Sequence, residues 1–150
     1  MKKLVYIANA RIPTEKAHGI QIMKMCEAFA DSGLAVELVL PRRLNKIKDA
    51  PFGYYDIREN FKITKLPTID FITLGLGSFG FFVESILFLI SSAIYLLFRK
   101  YDILYTREEL VGLFFKNFVL EIHSLPVLPG FIRMRIWRKA KALLVLTSFI

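Results

Sequence analysis

Apolar and polar positions alternate along this chain between two rhythms. Leu4-Val5-Tyr6-Ile7-Ala8 is a near-continuous apolar run of β-formers. That is the pattern of a parallel strand covered on both faces. After a loop through Pro13 to His18, the stretch Gly19 to Asp31 takes up a helical period, with Ile22, Met25, Cys26, Phe29 and Ala30 sharing one face. Ser32-Gly33 closes this helix, because glycine accepts the left-handed cap conformation. Ala35 to Leu40 is the next strand, stopped by Pro41. A strand–helix–strand unit of this kind predicts a right-handed crossover.

Arg42 to Asn60 is polar, basic and aromatic and reads as a loop with little regular structure. Phe61 to Leu66 alternates apolar and polar, as a more exposed strand does. Thr73 to Phe98 carries one charge, Glu84, before Arg99-Lys100 closes it. The charge-free run Ser85 to Phe98 is shorter than the roughly 20 apolar residues a membrane span needs. Gly75, Gly77 and Gly80 weaken the first half as a helix. The expectation is a buried or interfacial helix from about Phe81 to Phe98; a membrane anchor over Phe71 to Phe98 is the alternative.

Ile103 to Thr106, Phe118 to Ile122 and Leu143 to Leu146 are three further core-type strands. Between them lie a short helix from Glu108 to Lys116 and a basic helix from Gly130 to Ala140. Strands alternating with helices predict an open, mostly parallel α/β sheet flanked by helices. With 150 residues the chain makes a single domain. It stops just after its last strand, before a helix that would cover it, and we expect it to be truncated.

Composition narrows the class. Hydrophobic residues make up 55% of the chain, which excludes disorder. One cysteine excludes an internal disulfide framework and fits a reducing cytosol. A net charge of +8 favours anionic partners such as phosphates or lipid headgroups. Basic clusters at Arg42, Arg43, Lys46 and Lys48 and at Arg133, Arg135, Arg138, Lys139 and Lys141 supply that charge. The second is interleaved with Phe131, Ile132, Ile136 and Trp137, a pattern suited to an anionic membrane surface or to a solvated helix face. Neither cluster sits in a nucleic-acid-binding motif, and no nucleic acid is expected. The G-x-G-x-x-G, P-loop and nucleophile-elbow patterns are also missing. Two distant histidines and one cysteine make no zinc site.

In open parallel sheets, ligands bind beyond the carboxyl ends of the strands. The polar residues at those ends are Asn9 with the loop to Gly19, Arg107, His123-Ser124 and Thr147-Ser148. His18-Gly19 at a helix start favours an anion through the backbone N–H groups and the helix dipole, or else merely eases a turn. His123 follows Glu121 at alternate positions, so both point to one side if the strand persists that far. Its imidazole suits sugar hydroxyls or phosphate, or a structural role. Arg107 pairs either with substrate or with Glu108, Glu109 or Glu121. Glu108-Glu109 has the look of a carboxylate pair for acid–base work, but both fall in an expected first helical turn, where acids complement the dipole.

These segments together resemble family-4 glycosyltransferases. Lys16-Ala17-His18-Gly19-Ile20-Gln21 with the helix Ile22 to Ala30 is similar to that family's first loop and helix. Tyr101 to Arg107 resembles its segment in which an Asp opens a strand and an Arg closes it. Val119 to Ser124 is similar to its strand ending in histidine, and Lys141 to Ser148 to its strand ending in Thr-Ser. The resemblance implies the N-terminal, acceptor-side half of a GT-B enzyme built from two Rossmann-like domains. It implies retaining sugar transfer from a UDP- or GDP-linked donor to a glycan or lipid-linked acceptor, with no metal and no other cofactor. By position, Gly19 and His18 would lie near the donor phosphates, His123 would be catalytic, and Arg107 and Thr147 would line the cleft. The family's Glu-x7-Glu motif has no counterpart here, since no glutamate is followed by another eight positions later. It would belong to an absent donor-binding domain, leaving this chain inactive alone. The expected location is the cytoplasm, peripheral on the cytoplasmic face of the membrane. The alternative function is a non-catalytic α/β docking module.

Overall fold

The apolar runs at Lys3–Ile7 (β1), Ala35–Pro41 (β2), Ile103–Thr106 (β4) and Phe118–Ile122 (β5) form strands covered on both faces. Lys62–Leu66 (β3) and Ala142–Val145 (β6) flank them as edges. The computed structural model describes residues 1–69, 77–122 and 129–145, the side chain of Ser78 aside. All six strands are parallel, in the order β3-β2-β1-β4-β5-β6. The chain thus runs outward from β1 to one edge, then crosses back and continues from β4 to the other. The order reverses between β1 and β4, and there the carboxyl ends of two adjacent strands part to leave a crevice.

Alternation along each strand sends side chains to two separate cores. On one face Tyr6, Leu38, Leu40 and Tyr105 pack against Ile22, Met23 and Cys26 of helix α1 (Ala17–Asp31). Also on this face is Tyr55, just after α2, a single turn over Pro51–Tyr54. On the other face Val5, Ile7, Leu104, Phe118 and Leu120 pack against Phe88, Leu89 and Leu96 of α3 (Gly77–Leu97). Val111 of α4 (Val111–Phe114) and Ile136 of α5 (Gly130–Trp137) join the same cluster. Cys26 is a buried core residue, as its neighbours in sequence suggest; burial pushes its thiol well above the usual range.

Several boundaries differ from the sequence pattern for physical reasons. Helix α3 begins at Gly77, four residues before the expected Phe81, so it includes Gly80. Packing of its apolar length on the sheet overrides glycine's poor propensity. Helix α4 is one turn rather than Glu108 to Lys116. The Glu108 N–H donates to Thr106 Oγ1 (3.0 Å), which holds residue 108 in a turn ahead of the helix. Asn117, at φ 59°, then swings the chain into β5. Helix α5 stops at Trp137 rather than Ala140. Beyond it the N–H groups of Lys139 and Ala140 reach back only three residues, and Lys141 N–H donates to Phe118 O (2.8 Å) to start β6 beside β5. The loop from 42 to 60 contains the short α2, nucleated by Pro51 at its first position.

Candidate functional site at the sheet switch point

Beyond Ile7 and Thr106, register partners at the ends of β1 and β4, a cavity of about 230 Å³ opens. Ala8, Asn9 and Ala10 line it from the segment after β1, Arg107 and Glu108 from the segment after β4, and His18 and Ile22 from α1. Two of the four polar stations read from the sequence, Asn9 with His18 from the following loop and Arg107, therefore meet at one point. The other two, His123 and Thr147, lie outside the described residues. The strands that precede them end side by side, with Ile122 and Val145 in register. A wider groove of about 780 Å³ opens at the opposite end of the sheet, lined by Met1, Leu34, Phe52 and Phe61 among others. It sits at the amino ends of the strands, away from the switch point, and its polar lining is Glu59, Asn60 and Lys62.

Asn9 is fixed from every side. Its N–H donates to Glu108 Oε1 (3.1 Å), its Nδ2 donates to Ser85 Oγ (2.9 Å), and its Oδ1 accepts from Arg43 Nη2 (2.7 Å). Arg43 also pairs through Nε with Glu84 Oε1. Glu84 is fully buried, and this pair explains how one carboxylate is tolerated in an otherwise apolar helix. Sequence reading placed Arg43 in a surface basic patch; it is instead the counter-ion of α3. The available signal was the lone acid itself, since a buried charge needs a partner.

Glu108 was expected to face a helix dipole. Instead its carboxylate receives the Asn9 N–H, and that of Glu109 receives the Trp137 Nε1–H (2.9 Å). Burial raises the Glu108 carboxyl above the usual range, opposed by the Asn9 N–H and by the charges of Arg107 and Arg43. Arg107 Nη1 is buried and has no hydrogen-bond partner among the described residues. On the α1 side of the sheet, Glu121 accepts from Tyr105 Oη (2.8 Å), Tyr6 Oη (3.3 Å) and Gln21 Nε2 (3.1 Å). Burial first, and then Glu121, push both tyrosines far above their normal range, so they stay protonated as donors. Among the described residues, no group of three or more His, Cys, Asp or Glu side chains is placed to hold a metal ion.

Gly19 lies in the first turn of α1, which begins two residues earlier than the sequence pattern suggested. A Cβ there would overlap Tyr55 Oη and Thr14 Cγ2. Tyr55 Oη accepts from Thr14 N–H (2.7 Å) and donates to Thr14 O (2.8 Å), strapping the β1–α1 loop to the rim. The space glycine opens is thus filled by the protein's own hydroxyl. Gly19→Ala is expected to cost about 1–3 kcal/mol, the usual penalty of overpacking. Tyr55→Phe in the same chain should return part of that loss. Urea denaturation of the two single variants and the double variant measures this, and unchanged stability in Gly19→Ala would count against the seat.

No protein-family model matches the chain, and no curated protein does either. Its fold is similar to the crystal structure of Acinetobacter baumannii MurG, with a TM-score of 0.56 and 12% sequence identity. The likeness covers 99% of this chain and 42% of MurG, so the chain spans less than half of that protein's length. At this identity the likeness is one of fold: an α/β, all-parallel Rossmann-like sheet. It supports the GT-B type of fold and does not single out family 4.

Proposed function

We propose that this chain is the acceptor-side half of a GT-B glycosyltransferase. The observation that carries the reading is the crevice between β1 and β4, where Asn9, His18, Arg107 and Glu108 meet at the carboxyl ends of the strands. The fold likeness to MurG, itself a GT-B glycosyltransferase, adds support. In this reading a second Rossmann-like half brings a UDP- or GDP-linked sugar to the rim, and the acceptor is a glycan or a lipid-linked sugar. Transfer retains configuration and uses no metal.

Departure of a nucleoside diphosphate leaves negative charge, while the sugar becomes oxocarbenium-like. Preorganised cations and donors stabilise both without reorganisation at the moment of reaction. His18 and Arg107 face the diphosphate at the start of α1, where the helix dipole adds to the charge of Arg107. His123 attends the transferred sugar, and Thr147 lines the cleft. Gly19 acts through Tyr55, by letting the β1–α1 loop settle close to the rim. Glu121, held by two tyrosines and Gln21, anchors the strand that leads to His123.

The test is transfer or hydrolysis of UDP- and GDP-sugars. The 150-residue chain alone is expected to show none, and a protein carrying it together with a donor-binding half is expected to turn over one of them. Failure of that joined protein with every nucleotide sugar would favour the other reading, a non-catalytic docking module.

A further inference from the structure

The two faces of the sheet are covered by layers of opposite character. On the α1 side the outward surface is mostly polar, with Ile20 the large apolar residue that stands exposed on that helix. On the other side, all three helices carry apolar side chains outward: Ile90, Ile94 and Leu97 on α3, Phe114 on α4, Phe131 and Met134 on α5. Leu97 and Phe131 are 78% and 77% exposed. A monomer in water seldom leaves so many large apolar side chains uncovered on the helices of one layer. Charge marks the border of this layer. Arg99, Lys100, Arg135, Arg138 and Lys141 are exposed at or just beyond the ends of α3 and α5, whereas among the described residues the acids of this layer are fewer: Glu84 is buried, Glu108 and Glu109 beside α4 accept from Asn9 and Trp137, and Asp102 is the exposed one.

We infer that the outer side of α3, α4 and α5 docks flat on an anionic lipid bilayer. A second copy meeting this face about a two-fold axis would set these basic borders against each other, which disfavours it. Anionic headgroups satisfy them, and the acyl boundary takes the apolar side chains. Phe79–Leu97 is long and apolar enough to cross a membrane, but its inner side is fastened along its length. Glu84 pairs with Arg43, Ser91 Oγ donates to Pro67 O (3.0 Å), and Tyr95 Oη donates to Glu37 Oε1 (2.6 Å). Spanning would strip these bonds and carry Glu84 into hydrocarbon without its counter-ion. The helix therefore lies in the plane of the interface, about 30 Å long at the helical rise, with its sheet-facing side never leaving the protein. This inference needs no sugar and no second domain, so it stands apart from the transfer reading.

Flotation of the full chain with vesicles of phosphatidylcholine alone, or mixed with phosphatidylglycerol, tests it. The chain is expected to float with the mixed vesicles, and salt should weaken the attachment. Ile90→Glu/Ile94→Glu should lower partitioning by at least about tenfold through lost apolar insertion. Arg135→Glu/Arg138→Glu should lower it by at least about fivefold per charge, while Ile20→Glu on the opposite face leaves it unchanged. Circular dichroism confirms that each variant is folded. The inference fails if the chain stays with the soluble fraction, if Ile20→Glu is as damaging as the α3 pair, or if alkaline carbonate leaves the chain embedded. It fails equally if gel filtration without lipid shows a dimer that the α3 substitutions dissociate.

Discussion

Arg43→Ala is expected to destabilise the fold by about 3–5 kcal/mol, the cost of leaving a buried carboxylate without its counter-ion. Glu84 is fully buried, the Arg43 side chain is 6% exposed, and Glu84 Oε2 has no other partner among the described residues. The same substitution releases Asn9 Oδ1, so the floor of the switch-point crevice loosens along with α3. Replacing both partners, as Arg43→Met with Glu84→Leu, removes the charge as well as its counter-ion. That double variant should recover most of the loss, because apolar residues of similar volume often match a buried pair in stability. Chemical denaturation of the three variants separates the cases. A single-variant loss below about 1 kcal/mol would mean the pair is solvated and behaves as a surface bridge.

Arg107→Ala should lower turnover of the joined enzyme by about 10²–10³-fold, as removal of one preorganised donor does elsewhere. Its effect on stability should be much smaller, since Nη1 is left without a hydrogen bond among the described residues. Arg107→Lys keeps the charge but not the planar fork, and should restore part of the rate. His123→Ala is expected to cut turnover on a similar scale while leaving unfolding near that of the parent. Steady-state rates and denaturation curves on the same preparations decide the matter. Equal losses in rate and stability would make both residues structural.

Much of the fold was legible because strand and helix periods depend on local burial. The limits of β4 and β5 match the apolar runs at 103–106 and 118–122, where strands sit under both layers. Ends held by side-chain bonds were not legible in this way. Glu108 and Glu109 look like first-turn acids in one dimension, yet each is engaged by a group distant in sequence, Asn9 and Trp137. The Gly19 position had the same limit. A glycine at a helix start reads as an anion seat or an eased turn, and only the packing of Tyr55 says what occupies the space.

The order of apolar runs, turns and polar strand ends was enough by itself to predict an open, mostly parallel α/β sheet, and to expect Asn9, His18 and Arg107 at its carboxyl rim. Period and punctuation are properties of neighbours in the chain. The tertiary structure decided where the strand order reverses, which put β4 beside β1 and so brought Arg107 to Asn9 across a separation of about a hundred residues. It also decided that Arg43 turns inward to Glu84 and that three helices leave an apolar face outward. Those outcomes depend on which distant groups share a low-dielectric interior, where a charge must find its partner and apolar area is covered only as far as the layers reach.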